Sequence, residues 1–406
     1  MPVAAASVSK RGSPFEVLLA FLRLGCMSFG GPIAHLGYFR TELVDRRGWV
    51  SDELFAELVG IAQSMPGPAS SQVAYALGLI RAGWPGGLAA WLGFTLPSAV
   101  LMLAFAFGHR VFTGPTGASI LHGLQLVTVA VVGQAVVSMQ TKLAPDRLRL
   151  ALAIVAVGIT LLAPASLGSL LAIAFGAAAG LVLLRSQSQE AQRLDLLEIS
   201  VSKRVGTVAA IAFLLLVVAL VLPVRMNLPS LWSVFTAFGR TGALVFGGGH
   251  VVLPLLEDVT VAKGWISQQS FLSGYGAAQA LPGPLFSFAA YLGASVQPNP
   301  HPLMLGMCAL VAIFLPGLLL ITAVLPFWGH VRGRRSAQAA FDGIRASVVG
   351  VLIAALYNPV WSSTVHTMTD FWIALAAFAL LTMWKVQPLL LVVGVCAVCW
   401  LRAALL

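Results

Sequence analysis

Charge is what this 406-residue chain has least of: Asp, Glu, Lys and Arg together make up 9% of it. A soluble domain carries roughly a quarter of its residues as charges, so a water-facing globular surface is excluded. Acidic residues are scarcest, 14 against 24 basic ones, for a formal net charge of +10. In a soluble chain that balance would point to nucleic acid. Here the cations sit mainly in short loops between apolar runs, where they set orientation in a membrane, and no nucleic-acid partner is expected. Cysteine is nearly absent. Cys26, Cys308, Cys396 and Cys399 support no disulfide framework. The C-x-x-C of Cys396 and Cys399 lies inside an apolar run with no histidine or second pair nearby, so metal or redox use would require thiolate charge in lipid. A Walker loop, a nucleotide-binding glycine fingerprint and an H-E-x-x-H helix are all missing. These absences argue against an enzyme, a cofactor or a metal centre, and against ATP-driven pumping by this chain alone. An ion gradient or the membrane potential is left as the energy source.

Hydrophobic residues make up 59% of the chain, and they fall in long runs that can cross about 30 Å of hydrocarbon as helices. The runs cover 15–37, 54–80, 86–108, 119–140, 148–163, 167–184, 206–224, 232–255, 269–294, 303–328, 340–357, 370–384 and 387–404, about thirteen spans if each crosses. Membrane lipid is therefore the first partner. The runs at 148–163 and 370–384 are short enough to be re-entrant. The short polar N-terminus shows no cleavage site and reads as leading into an uncleaved first span. The most polar stretch, Arg185 to Arg204, reads as a cytoplasmic linker. The expected architecture is an all-α polytopic membrane protein with an N-terminal repeat over 1–184, a linker and extra span over 185–230, and a C-terminal repeat over 231–406.

The repeat is the strongest internal signal. Arg23 pairs with Arg240, Gly25 with Gly242, and Phe29-Gly30-Gly31 with Phe246-Gly247-Gly248. After one gap, Gly48-Trp49-Val50-Ser51 pairs with Gly264-Trp265-Ile266-Ser267, Ala62-Gln63 with Ala278-Gln279, and Pro66-Gly67-Pro68 with Pro282-Gly283-Pro284. Ser71 pairs with Ser287, Tyr75 with Tyr291, Pro97 with Pro316 and Gly123 with Gly343. Corresponding spans are an odd number apart, which predicts halves of opposite orientation, with the N-terminus inside and the C-terminus outside. Loop cations swap accordingly. Lys142 and Arg147 have no counterpart in 358–369, whereas the single Arg110 corresponds to Arg332, Arg334 and Arg335. The loop 38–53 disagrees: parity places Arg40, Arg46 and Arg47 outside. Either 15–37 is a re-entrant hairpin or these cations serve something other than topology.

Three constellations carry chemistry. The first is Ser28-Phe29-Gly30-Gly31-Pro32 with its partner Val245-Phe246-Gly247-Gly248-Gly249-His250. Glycine runs and proline break a helix, and in lipid the freed backbone groups must be satisfied by protein, water or ligand. A helix resumed after such a break offers N–H groups and a positive dipole end to an anion; the alternative is close helix packing through small residues. The second is Gln63-Ser-Met-Pro66-Gly67-Pro68, followed by Ser70 and Ser71, with Gln279-Ala-Leu-Pro282-Gly283-Pro284 followed by Ser287. Matched interruptions in two halves point to a transporter site, and a proline kink is the plainer reading. The third is Arg23 with Arg240, whose planar forks can grip a tetrahedral dianion, or which snorkel or pair with Glu16, Glu57 or Asp342. Glu57 is a candidate proton relay or an ion-pair partner. His35 and His250 flank the breaks, and Asp342 and Arg345 either pair locally or line the path. Trp49 and Trp265, just before spans, are expected as interfacial anchors.

The set F-G-G-P-x-x-H, G-W-[VI]-S, A-Q-x-x-P-G-P and a second F-G-G-G-H copy resembles the chromate ion transporter family in its long, two-domain bacterial form. The resemblance covers nearly the whole chain and is densest at 21–100 and 235–320. It implies export of chromate from the cytoplasm across the inner membrane, driven by the proton motive force and giving chromate resistance. Residues matching the family's functional positions are Arg23, Gly30, Gly31, Pro32, Pro66, Gly67, Pro68, the Phe246–Gly249 stretch and Pro282–Pro284. The residues by themselves give only a secondary transporter, one of an anion by preference. Sulfate is the alternative substrate, a non-transporting membrane receptor or scaffold the alternative class, and a homodimer is compatible with either.

Overall fold

In the computed structural model, residues 12–108, 114–163, 167–184, 202–221, 229–246, 249–298, 301–328 and 335–405 are described. Arg110, Arg332, Arg334, Gly247, Gly248 and most of the 185–204 linker lie outside them. Every regular element among the described residues is helical. The first half contributes α1 (Pro14–Met27), α2 (Gly31–Phe39), α3 (Asp52–Ser64), α4 (Ala69–Gly108), α5 (Pro115–Leu143), α6 (Arg147–Leu162) and α7 (Gly168–Leu183). After α8 (Lys203–Val221), the second half contributes α9 (Leu231–Leu244), α10 (Val252–Thr260), α11 (Gln268–Gln279), α12 (Phe288–Ser295), α13 (Pro302–Val324), α14 (Arg335–Ala355), α15 (Met368–Thr382) and α16 (Pro388–Leu405). Non-helical dihedrals at Ala82 and Gly83 divide α4 into 69–81 and 84–108, so the second half's α12 and α13 have matched counterparts in the first.

Among the described residues, six helices are long and apolar enough to cross a membrane: Ala69–Gly108, Thr116–Leu143, Lys203–Val221, Pro302–Phe327, Gln338–Trp361 and Pro388–Leu405. The chain is a multi-pass membrane protein. Exposed large apolar residues recur every fourth position on the second arm of α4, at Leu88, Leu92, Leu96 and Val100, and α8 exposes Val208, Ile211, Leu215 and Val218. Stripes of this kind suit contact with lipid rather than water. Four expected spans, 15–37, 54–80, 232–255 and 269–294, are each divided into shorter helical pieces. At 14 residues, α1 is about 21 Å long, short of a full crossing.

The G-W-x-S turns show why the pieces start and stop where they do. Gly48 and Gly264 take left-handed φ values of 56° and 71°, the conformation glycine adopts at no steric cost just past a helix end. Ser51 and Ser267 then cap α3 and α11, accepting from the backbone N–H of Leu54 at 3.3 Å and of Ser270 at 3.2 Å, which satisfies one of the first-turn donors. Trp49 and Trp265 are not anchors at the lipid rim. They are 2% and 4% exposed, with Arg47 and Arg81 over the first ring at 5.7 and 5.2 Å and Lys263 over the second at 4.8 Å. The ring face attracts a cation, and inside the protein that attraction outweighs an interfacial seat.

The cations of the discordant loop pair locally. Arg40 bonds Asp52 at 2.7 Å, and Arg47 and Arg46 bond Glu42 at 2.8 and 3.4 Å. The Arg47 guanidinium, with Arg46, holds Glu42 below the usual carboxylate range. These cations are paired with neighbouring acids.

Each half closes on small residues. A Cβ at Gly25 would stand 2.7 Å from the carbonyl oxygen of Gly93, and one at the matched Gly242 would collide with the carbonyl of Ile313. The α1–α4 and α9–α13 crossings therefore use backbone-to-backbone approach at equivalent places, as small-residue packing in membranes allows. Gly25→Ala and Gly242→Ala are each expected to destabilise by about 1–3 kcal/mol through overpacking. Gly60→Ala, whose Cβ meets nothing within 4 Å, should be neutral or stabilising. Thermal unfolding of the detergent-purified variants measures the contrast.

Candidate functional site

All four matched interruptions are present. Helix α1 ends at Met27, and the chain turns through Gly30 at φ 96° and Gly31 at φ 81° before α2 runs on. Its counterpart α9 ends at Leu244 and resumes as a 3-10 turn, Gly249–Val251, leading into α10. The first Pro-Gly-Pro separates α3 from α4 with Gly67 at φ 123°; the second separates α11 from a 3-10 turn, Leu285–Ser287, with Gly283 at φ 91°. L-side chains rarely adopt these values, so the glycines are required by the backbone path.

Each interruption is closed by the opposite half. The Gly67 N–H donates to the Val245 carbonyl at 2.7 Å, and the Gly283 N–H donates to the Ser28 carbonyl at 2.9 Å. Gly67 matches Gly283 and Ser28 matches Val245 in the repeat, so the two bonds are one contact made twice with the halves exchanged. The side-chain surroundings follow the same exchange. A Cβ on Gly67 would lie 3.0 Å from the Gly317 Cα, and one on Gly283 would lie 2.8 Å from the Ser98 Oγ, Ser98 being the match of Gly317. On the pseudo-symmetry axis a residue should meet its own counterpart. A Cβ on Gly249 would stand 3.7 Å from Cγ of Pro32, its match in the repeat. Both breaks thus meet at the centre of the molecule, flanked by both Pro-Gly-Pro loops.

Several hydroxyls and amides surround this junction. Ser98 and Ser287 hydroxyls are 2.6 Å apart, joining the halves. The Gln72 amide donates to the Pro66 and Gly317 carbonyls, each at 3.0 Å, and so clamps the first Pro-Gly-Pro loop to α13. His35 lies 3.4 Å from Ser70, contacts the Ser28 carbonyl and sets its ring edge-on to Phe94 at 5.3 Å. His250 meets the Tyr275 hydroxyl at 2.9 Å, and the Gln279 amide nitrogen is buried without a partner. Ser71 is fully buried with no partner. A shallow indentation beside the second loop is lined by Ser98, Met102, Pro282, Pro284, Ser287 and Phe288 among others.

Not every sequence candidate takes part in the junction in the same way. Gly30, Gly31, Pro32, Pro66, Gly67, Pro68, Ser70, Ser71, Gly249, His250, Gln279, Pro282, Gly283, Pro284 and Ser287 lie on its loops and helix ends, while Gly247 and Gly248 lie outside the described residues. The Gln63 side chain is exposed; its carbonyl at the end of α3 accepts from Arg345 at 2.8 Å, a cation placed where the helix dipole is negative. Arg345 also pairs locally with Asp342 at 3.2 Å, and Asp342 pairs with Arg149 at 3.2 Å. Glu16 is taken by Arg81 at 3.1 Å. Arg23 is exposed, with Glu42 among the charges it feels, and Arg240 donates from Nε to the Leu220 carbonyl of α8, near Lys263. Glu57 is half-buried on α3. Sequence reasoning did not single out Gln72, Thr95, Ser98 or Tyr275. Thr95 and Ser98 flank Pro97 one turn apart in an apolar run, the signal by which they could have been found.

The junction offers backbone N–H groups at resumed helices and neutral side-chain donors, an arrangement suited to a small anion. The chain was then compared with known proteins. The family model described as chromate transporter matches residues 15–181 and again 232–400. A chromate transport protein from Pseudomonas aeruginosa is 30% identical over 91% of this chain and 87% of its own. One from Cupriavidus metallidurans is 28% identical over 91% and 88%. An uncharacterized transporter from Methanocaldococcus jannaschii is 23% identical over 95% and 89%. No solved structure matches. Two matches of one family model, in the two halves whose interruptions meet at the junction, establish that the chain belongs to the chromate transporter family.

Proposed function

We propose that the chain carries chromate from the cytoplasm across the bacterial inner membrane, drawing on the proton motive force and so conferring chromate resistance. The observation that carries the reading is the reciprocal closure of four helix interruptions at one place. Irregular backbone at membrane depth is tolerated where it is buried in protein or lines a cavity, and paired discontinuous helices are where secondary transporters bind their cargo. The names of the Pseudomonas and Cupriavidus relatives supply chromate as the cargo.

In this reading the two repeats, 1–184 and 231–406, have opposite orientations, with the N-terminus inside and the C-terminus outside. The anion sits between Gly30–Pro32 and Gly247–His250, beside the Pro66–Pro68 and Pro282–Pro284 loops, with donors from Ser70, Ser71, Ser287, Gln63 and Gln279. Arg23 and Arg240 supply positive potential that draws the anion toward the breaks. Glu57 is the candidate for moving a proton. Rocking of one half against the other then exposes the site alternately. Sulfate, also a tetrahedral dianion, is the second reading, because backbone N–H and hydroxyl donors recognise shape and charge common to both.

Uptake of chromate into inverted vesicles tests the function: accumulation is expected, and a protonophore should collapse it. Unlabelled sulfate in excess should compete only if the second reading holds. No accumulation under an imposed gradient would favour a receptor or scaffold. Arg23→Gln and Arg240→Gln are each expected to lower chromate flux at least about tenfold, equivalent to about 1.4 kcal/mol, with normal membrane insertion on blots. Gly67→Ala and Gly283→Ala should do the same, since each places a Cβ at a strained positive φ costing about 1–3 kcal/mol and pushes the halves apart. Gly48→Ala, at φ 56° but with open space around it, should keep flux per folded molecule.

A further inference from the structure

The two breaks are matched in sequence, but several polar side chains around them are not. Ser28, Ser70, Thr95 and Ser98 in the first half correspond in the repeat to Val245, Phe286, Phe314 and Gly317 in the second. Gln72 corresponds to Phe288. All four of the apolar counterparts Val245, Phe286, Phe288 and Phe314 are buried, so they form part of the core and present nothing to hydrogen-bond.

Three of the first-half hydroxyls have no partner. Ser28, Ser71 and Thr95 are 0%, 0% and 2% exposed, and none of their oxygens makes a hydrogen bond. Leaving a buried hydroxyl unpaired carries its full desolvation penalty, and three on neighbouring elements require a reason. Their neighbourhood is shared. The Ser28 carbonyl accepts from Gly283, whose Cβ would stand 3.2 Å from the Phe94 carbonyl, immediately before Thr95. His35 links the Ser28 carbonyl to Ser70, next to Ser71, and packs on Phe94. Within α4, Gly78 packs against Gly86 and Ala90. That antiparallel register brings 70–71 opposite 94–95.

We propose that the unpaired hydroxyls of Ser28, Ser71 and Thr95 in the first half donate to the oxygens of the oxyanion, and that Val245, Phe286, Phe288 and Phe314 of the second half contribute an apolar face beside it. The proposal rests on the carrier reading and narrows it. A tetrahedral oxyanion with every oxygen deprotonated only accepts hydrogen bonds, and a serine or threonine hydroxyl can rotate its single proton toward it. The bond is charge-assisted, and it is strongest where water is excluded. Binding then relieves the unpaired state of all three hydroxyls at once.

That logic separates a binding role from a structural one. Ser28→Ala, Ser71→Ala and Thr95→Val each remove an oxygen that bonds nothing in the unloaded protein. Each variant is expected to unfold at the wild-type temperature or above it, because an unsatisfied buried group has been deleted. Each should raise the chromate KM in inverted vesicles at least about fivefold, the loss expected for one charge-assisted donor. Thr95→Ser should restore the wild-type KM. Ser347→Ala is the control: Ser347 is equally buried and unpaired but packs against Gly176 at the α7–α14 crossing, so its KM should not move. Unchanged KM in all three variants, with wild-type protein transporting chromate, would overturn the proposal and leave the carrier reading standing. A fall in unfolding temperature with KM unchanged would assign the hydroxyls to packing and overturn it as well. Wild-type vesicles without any chromate flux would overturn both.

Discussion

Two backbone hydrogen bonds hold this architecture together: Gly67 to Val245 and Gly283 to Ser28, at 2.7 and 2.9 Å. In hydrocarbon, a broken helix is tolerated only when its freed N–H and C=O groups find partners. Here each half supplies the partner for the other. Neither break is complete on its own half, so the fold of one repeat depends on the presence of the second. The glycine at the centre of each Pro-Gly-Pro serves twice, by turning at a positive φ and by leaving room for Gly317 or Ser98 of the opposite half.

Much of this frame was legible in the sequence because it rests on local rules. Glycine and proline at matched places announced the four interruptions, and the structure breaks the helices there. At each G-W-x-S turn the structure follows the glycine with a capping serine, Ser51 and Ser267, a local rule the sequence carries although the motif was read there only as a repeat. Non-local pairing was not legible. Nothing in the chain near Gly67 names Val245 as its acceptor. Glu16, an available partner for Arg23 by position, is taken by Arg81 of α4. Position before a span placed Trp49 and Trp265 at the lipid rim, but cations packed over their rings hold them inside. That the cations of 38–53 have acidic partners in the same short segment was also not read from the sequence.

The same junction explains why backbone symmetry can coexist with chemical asymmetry. Closing the breaks needs only main-chain groups and glycine, which both repeats retain. Side chains around the closure are then free to differ. The first repeat keeps hydroxyls at Ser28, Thr95 and Ser98, while the second has valine, phenylalanine and glycine at the same places. Ser98 and Ser287, 2.6 Å apart, are where the polar set of one half reaches the other. A carrier built this way can weight recognition toward one repeat while both repeats close the breaks.

The most direct test is a cross-link between matched residues of the two halves. Pro32→Cys and Gly249→Cys would be placed together in a variant lacking the four native cysteines. A Cβ at 249 stands 3.7 Å from Cγ of Pro32, so the two introduced thiols lie side by side. Meeting breaks at the centre of the transport path predict that mild oxidation forms the cross-link, stops chromate uptake into inverted vesicles, and that reduction restores it. Failure to cross-link, or full uptake by the cross-linked protein, would contradict the account.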